Sequence, residues 1–300
     1  MKILLVIIGL AIIYYLFKLS QKKNIPLVEY KPMKMPANWP EWQEVLDSNK
    51  LPSLKIHLIS GQKPTLPWQS KFGGNPYWPI GESYPVDENG SPLYFLAQIN
   101  FSEISEKLRG YPKQGLLQFF IAVDEDLCLV VDEFIGDDNS LKTYLQNPKN
   151  FKVVYHKDII NDPEKLSINN RILDLEDSFL GGESLIAFEL IDDIASPLDY
   201  RFKEITKALD SSDDAMDYAY DSVDRQPCHK IGGFASFTQT DPRTFVSKEP
   251  EWLLLFQMDS DDNEYINIMW GDSGIANFFI REKDLQNLDF TKVWYNWDCC

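Results

Sequence analysis

The chain has 300 residues, 44% of them hydrophobic and 13% aromatic, enough for one large core or two smaller ones. It carries 29 Lys and Arg against 46 Asp and Glu, a formal charge of -17. Phosphate backbones need clustered cations, so nucleic acid is not an expected partner, nor is the folded body expected to lie on an anionic bilayer.

From the amino terminus, Ile3 to Phe17 is an unbroken apolar run between Lys2 and Lys18, with Tyr14 and Tyr15 suited to an interface. No small-x-small cleavage site follows it, so residues 1–20 read as a retained transmembrane anchor. Lys18, Lys22, Lys23, Lys31 and Lys34 lie on its carboxyl side. The positive-inside rule then predicts a single-pass protein of the cell inner membrane, with its large domain cytoplasmic. Residues 21–60, rich in Pro and Trp, read as a tether with a short helix near Trp42 to Asp47.

Beyond residue 60, short apolar runs are punctuated by Gly, Pro, Asp and Asn. "PLYFLAQINF", "GLLQFFIAV", "LCLVVDEF", "FKVVYH", "SLIAFELI", "EWLLLFQMD", "YINIMW" and "GIANFFI" have strand length and composition. Helical pattern is confined to Tyr200 to Tyr220 and Phe101 to Leu108. Cys128, Cys228, Cys299 and Cys300 form no CxxC pair and no disulfide framework.

One phrase occurs twice. "KFGG…FLAQIN…GLLQFFI" and "KIGG…LLFQMD…GIANFFI" superpose at an offset of 159 without gaps, pairing Gly73 with Gly232, Gln98 with Gln257 and Gly115 with Gly274. The same offset sets Asn100 against Asp259. An internal duplication follows, with repeat one at about 71–126, an acidic connector at about 146–225 and repeat two at about 229–289. Gly73, Gly74, Gly232, Gly233, Gly115 and Gly274 read as structural turn residues, since glycine alone adopts positive φ freely. The expected fold is mainly β (α+β), in two halves related by a pseudo-two-fold, with a cleft where their strand edges meet.

At these motifs the chain resembles the YwqG-like family, bacterial proteins with no assigned activity. "KFGGNPYWP", "PLYFLAQINF", "GLLQFFIAVDED", "HKIGGFASFTQTDPR" and the stretch Leu253 to Ile280 carry the resemblance, which spans about Leu51 to Asp289. It implies a β-rich, roll-like fold with a duplicated core over residues 61–300, and no particular chemistry. The membrane segment and tether stand outside it.

Several chemical readings can be weighed on the residues. "GDSG" at Gly271 to Gly274 has the look of a serine nucleophile loop, but His57, His156 and His229 lie in ordinary strand or turn contexts. Ser273 also falls opposite Gln114 in the first repeat. "DSDDNE" at Asp259 to Glu264 lacks the glycine and distal glutamate of a calcium loop; it allows only a looser carboxylate site, "DSSDDAMDYAYD" less so, and both read first as solvated acidic turns. Cys228 and His229 are adjacent, a poor spacing for zinc, and neither diglycine has a phosphate-loop spacing. No metal and no cofactor is expected. Gln98 and Gln257, polar residues inside apolar strands, either cap neighbouring turns or line the cleft with Trp78, His229, Gln239, Arg243, Trp270 and Asp272. The expectation is a membrane-anchored, non-enzymatic binding module for a protein or peptide. The alternatives are a hydrolase using Asp272, His229 and Arg243, or a structural envelope-associated protein.

Overall fold

The structure is a computed structural model that describes residues 33–122, 138–145, 151–167, 179–209, 213–223, 228–246 and 251–299. Among them are twelve strands: β1 (Leu51–Leu58), β2 (Lys71–Gly73), β3 (Tyr94–Asn100), β4 (Leu116–Ile121), β5 (Phe151–His156), β6 (Leu180–Asp193), β7 (Lys230–Gly232), β8 (Trp252–Asp259), β9 (Asp261–Asp262), β10 (Ile266–Ile268), β11 (Ile275–Arg281) and β12 (Trp294–Asp298). They form one sheet in the order β12-β11-β8-β7-β1-β6-β2-β3-β4-β5, with β10 and β9 attached beside β6. The expected strand "LCLVVDEF" lies outside the described residues.

The order is a palindrome about β1 and β6, which pair antiparallel over eight residues from Leu51↔Asp193 to Leu58↔Ile186. β1 precedes the first repeat but pairs with β7 of the second, through Ser53↔Gly232 and Lys55↔Lys230. β6 precedes the second repeat but pairs with β2 of the first, through Gly73↔Glu183 and Lys71↔Leu185. The two halves therefore exchange their opening strands.

The expected fold needs correction on two points. The protein is not a roll of two halves meeting at a cleft; it is a mostly β, nearly closed, barrel-like sheet with few helices. The physical reason is that β1 and β6 occupy the position between the halves and hydrogen-bond across it, so the backbone groups there need no other partner. The expected amino-terminal transmembrane helix is not supported either: among the described residues no helix is long and apolar enough to cross a membrane. Residues 1–20, where it was expected, lie outside those described.

The last strands of the two halves come together through side chains. Phe151 on β5 lies 5.6 Å, ring to ring, from Tyr295 on β12 and 6.1 Å from Phe278 on β11. Deeper inside, Phe119 packs 4.5 Å from Phe256 and 4.9 Å from Phe278, joining strands of both halves in one core. Rings of this kind bury about 150–250 Å2 each, so they dominate the stability of so continuous a sheet.

Helices are short. α1 (Trp39–Ser48) begins with Pro40 in its first turn, where the missing N–H costs nothing. Its buried stripe of Trp39, Trp42 and Leu46 covers Phe202 and Phe234 in a separate cluster. α2 (Asp138–Leu145), α3 (Phe202–Ile205), α4 (Asp213–Val223) and α5 (Glu282–Gln286) complete the set among the described residues. α4 lends Ala215 and Ala219, one turn apart, to that cluster.

The palindrome extends to single atoms. Gln98 Oε1 accepts the Tyr77 N–H at 2.8 Å, and its Nε2 donates to the carbonyls of Pro67 and Gln69 at 2.7 Å each. At the matched positions, Gln257 Oε1 accepts the Ser236 N–H and its Nε2 donates to the Cys228 carbonyl, both at 2.8 Å. Gln118, opposite Gln98 on β4, donates to the Tyr77 carbonyl at 2.8 Å; Asn277, opposite Gln257 on β11, donates to the Ser236 carbonyl at 2.9 Å. The diglycines match in the same way. A Cβ on Gly74 would stand 2.1 Å from Glu183 Oε2, and one on Gly233 would stand 2.2 Å from Asp193 Oδ2. Both glycines also hold φ near +70°, with values of 68° and 74°.

Replacing either buried glutamine by leucine strands a backbone N–H and at least one carbonyl, each costing about 1–3 kcal/mol. Urea unfolding of Gln98→Leu and Gln257→Leu is expected to show a loss of roughly 2–4 kcal/mol for each. Losses within about 0.5 kcal/mol, the range of an ordinary surface change, would mean the two amides do not hold these loops.

Candidate functional site

The second half brings ionisable groups together where β7 begins and β8 ends. Cys228 and His229 immediately precede β7, Asp259 closes β8, and Asp261 opens β9. β1 runs alongside, and its Ile56 N–H donates to the His229 carbonyl at 2.8 Å. Together with Lys55 and His57 of β1 these residues line a cavity of about 550 Å3.

His229 is 2% exposed and rests against the face of the core, its ring 4.9 Å from Phe72 in an edge-to-face contact. Its Nδ1 accepts the Asp259 backbone N–H at 2.9 Å. A neutral imidazole that accepts at Nδ1 carries its proton on Nε2. That Nε2–H makes no hydrogen bond, although Asp261 Oδ2 stands 3.4 Å away. Burial lowers the His229 pKa, and the Asp261 carboxylate only partly offsets it, so the ring is neutral.

Asp259 is unusual in the opposite sense. One oxygen, Oδ1, accepts the Ser260 N–H at 2.8 Å. Burial, aided by the neighbouring Asp261 charge and opposed by the Ser260 N–H and Lys230, pushes its pKa up to about 7. A carboxyl that exchanges its proton near neutrality beside an open cavity is a recurrent mark of functional sites.

The first half supplies an internal control. At the matched positions, Ser70 Oγ accepts the Asn100 N–H at 2.9 Å, the same bond that His229 makes to Asp259. Asn100 Oδ1 then accepts the Ser102 N–H at 3.0 Å. Asn100 and Ser102 line a second cavity of about 490 Å3 with Trp68, Glu103 and Lys157. One backbone requirement is thus met by Ser and Asn in one copy and by His and Asp in the other. The fold needs the hydrogen bond; it does not need the imidazole or the carboxyl.

The residues expected to share one cleft are distributed over several places. Gln98 and Gln257 are the buried caps described above. Trp78 joins Leu93, Phe95 and Phe120 in a satellite cluster, with its Nε1–H on the Glu82 carbonyl at 3.0 Å. Trp270 is 1% exposed and stacks 4.7 Å from Phe179 in the main core, while Asp272 on the following turn is exposed. The exposed Gln239 has its N–H on Asp298 Oδ2 at 2.8 Å. Arg243 is sealed into an ion cluster, with Asp241 and Asp199 at 2.7 and 2.8 Å and the Trp252 carbonyl at 3.0 Å. Burial alone would raise the Asp199 pKa, but Arg243 and Arg201 overrule it and hold the carboxyl well below the usual range. Of the expected set, His229 and Gln257 come together, and only His229 reaches the cavity. Asp259 and Asp261 were legible only as a substandard calcium loop; the sharper signal was the replacement of Asn100 by an ionisable residue at the matched position.

The neutral His229 ring is not set up to accept a proton. The Nδ1 lone pair is taken by the Asp259 N–H and Nε2 carries the ring proton, so no lone pair of His229 is free to act as a base. Ser273 Oγ has the Met269 sulfur at 4.0 Å as its neighbour, not a histidine. Among the described residues no group of three or more His, Cys, Asp or Glu is placed to hold a metal ion.

Asp259 binds its proton more tightly folded, at about 7, than unfolded, near 3.8. Its contribution to stability is therefore whole below about pH 4 and is lost as pH rises through about 7. Asp259→Asn, which copies Asn100, removes that loss. Thermal melts are expected to show wild type and variant alike at pH 4, and the variant higher by roughly 3–8 °C at pH 8. Parallel pH profiles for the two proteins would contradict the raised pKa.

No curated protein matches this chain. One family, described as "Domain of unknown function (DUF1963)", matches residues 70–299, a span that contains both occurrences of the repeated motif and the whole of the second-half cavity except Ser60 and its β1 wall. The chain belongs to the DUF1963 family.

Proposed function

We propose that this chain is a non-enzymatic binding module that takes a segment of a protein or peptide in the cavity formed by His229, Asp259 and Asp261. Within the DUF1963 family we place it with the YwqG-like proteins, on the resemblance of "KFGG", "KIGG" and their following strands. The observation that carries the reading is the divergence between the copies. Ser70 and Asn100 do all that the fold asks at this position. His229 and Asp259 add a buried donor and a desolvated carboxyl, both of which lower stability unless something meets them. A net charge of -17 adds long-range attraction for basic partners and disfavours nucleic acid. The hydrolase reading would bring Asp272, His229 and Arg243 together, whereas Arg243 is held by Asp199 and Asp241.

The test is selection of a random peptide display library on the purified full chain, followed by binding of the selected peptides to Asp259→Asn. Enriched peptides that bind the variant at least about tenfold more weakly are the expected result. Enrichment that ignores the substitution would move the site elsewhere, and a library with no enrichment would end the reading.

A further inference from the structure

We propose that the cavity captures the free amino terminus of a polypeptide, with the ammonium between the carboxylates of Asp259 and Asp261 and the carbonyl oxygen of the first residue on the His229 Nε2–H. The inference rests on the binding-module reading above and names the part of the partner that is recognised.

The donor and acceptor inventory selects this ligand. The walls carry three aspartates, Asp259, Asp261 and Asp262, against one lysine, Lys55, so a cation is favoured over an anion. Asp259 spends Oδ1 on the Ser260 N–H, which leaves its other oxygen for a ligand donor. His229 asks for the opposite partner. Its side chain is 3% exposed, its Nε2–H has no hydrogen bond, and it points toward the Asp261 carboxylate on the cavity wall. The ligand must then present a positive donor and, close by, a neutral acceptor. A lysine or arginine side chain offers the charge with no adjoining acceptor, and would leave His229 unmet. An amino terminus offers both, since its ammonium and the carbonyl of the same residue are separated by one carbon.

The approach is open. The Asp261 side chain is 50% exposed, and its Oδ2 stands over Nε2 at 3.4 Å. An ammonium between the two carboxylates draws Asp261 toward itself, which uncovers Nε2–H for the carbonyl. His229 meanwhile anchors Asp259 through the backbone bond at Nδ1, fixing the position of the second carboxylate. The first-half cavity works as the contrast. Asn100 and Ser102 stand where Asp259 and Asp261 do, and Ser70 has no second polar atom to offer.

The experiment is an NMR titration of the full chain with three probes: glycyl-glycyl-glycine amide, its N-acetyl form, and N-acetyl-lysine amide. The free tripeptide is expected to shift the His229 ring signals. Acetylation should weaken that binding at least tenfold, and Asp259→Asn should do the same. The variant folds on this account because the first half already holds asparagine in the same backbone setting. His229→Ser, copying Ser70, should bind the free tripeptide more weakly while N-acetyl-lysine amide stays a poor ligand throughout. Binding of N-acetyl-lysine amide equal to that of the free tripeptide would overturn the terminus in favour of any ammonium. If none of the three probes shifts His229 while display-selected peptides still bind through Asp259, this inference fails and the binding-module reading stands.

Discussion

A backbone segment buried beside an apolar sheet cannot be hydrated there, and this constraint organises the molecule. Each half meets it with a carboxamide planted in the middle of an apolar strand. Gln98 and Gln257 reach out of β3 and β8 to hold the segment that leads into β2 or β7 and the segment that follows its diglycine. Their cross-strand neighbours Gln118 and Asn277 complete the arrangement by binding the remaining carbonyl. With the loops tied down, β2 and β7 need only three residues each to join the sheet. Aromatic rings from both halves then pack against one another in the interior. The amides are costly to bury alone, and their hydrogen bonds offset most of that cost, although Asn277 Oδ1 is left without a partner.

How far this was legible from sequence depends on length and composition of each element. Runs such as "YFLAQIN", "LLQFFI" and "WLLLFQMD" are strands because their aromatic and aliphatic density leaves them no exposed alternative. β1, "LPSLKIHL", sits inside the stretch read as a tether, because Pro52, Lys55 and His57 interrupt its pattern. It is nonetheless the centre of the sheet, with Ser53, Leu54 and Ile56 buried. β5 and β6 likewise fall within the acidic stretch read as a connector; β6 carries Glu183, Glu189, Asp192 and Asp193 yet pairs along its length. Their strand character is legible in "FKVVYH" and "SLIAFELI"; their place in the sheet is not, because β6 is paired on its two sides by strands distant in sequence, β1 and β2. The helical reading of Phe101 to Leu108 reduces to one 3-10 turn, Phe101–Glu103, capped by Asn100.

The candidate site shows a different limit. His229 and Asp259 are joined by a hydrogen bond between a ring nitrogen and a backbone N–H thirty positions along the chain, which no local pattern encodes. The correspondence between the halves makes up for this. Two segments in matched places of the sheet, carrying different side chains, separate what the fold requires from what it merely tolerates. At the positions whose side chains hold these loops the halves agree in chemistry, as Gln98 and Gln257 do. They part company at Ser70 and His229, and at Asn100 and Asp259, and both differences fall on one cavity. Ion clusters elsewhere, such as Arg243 with Asp199 and Asp241, are fully reciprocated and read as architecture.

The exchange of opening strands has a consequence for how the chain is made. Leu54 of β1 finds its partners at Leu190 and Ile231, so the first strand of the sheet to leave the ribosome is among the last to be paired on both sides. The first half cannot finish its own sheet when its last strand emerges, because β6 has yet to be synthesised. Such long-range closure slows folding and prolongs the exposure of unpaired edges. Neither half is a unit that can mature alone, and the nascent chain must hold β1 open until the second half arrives.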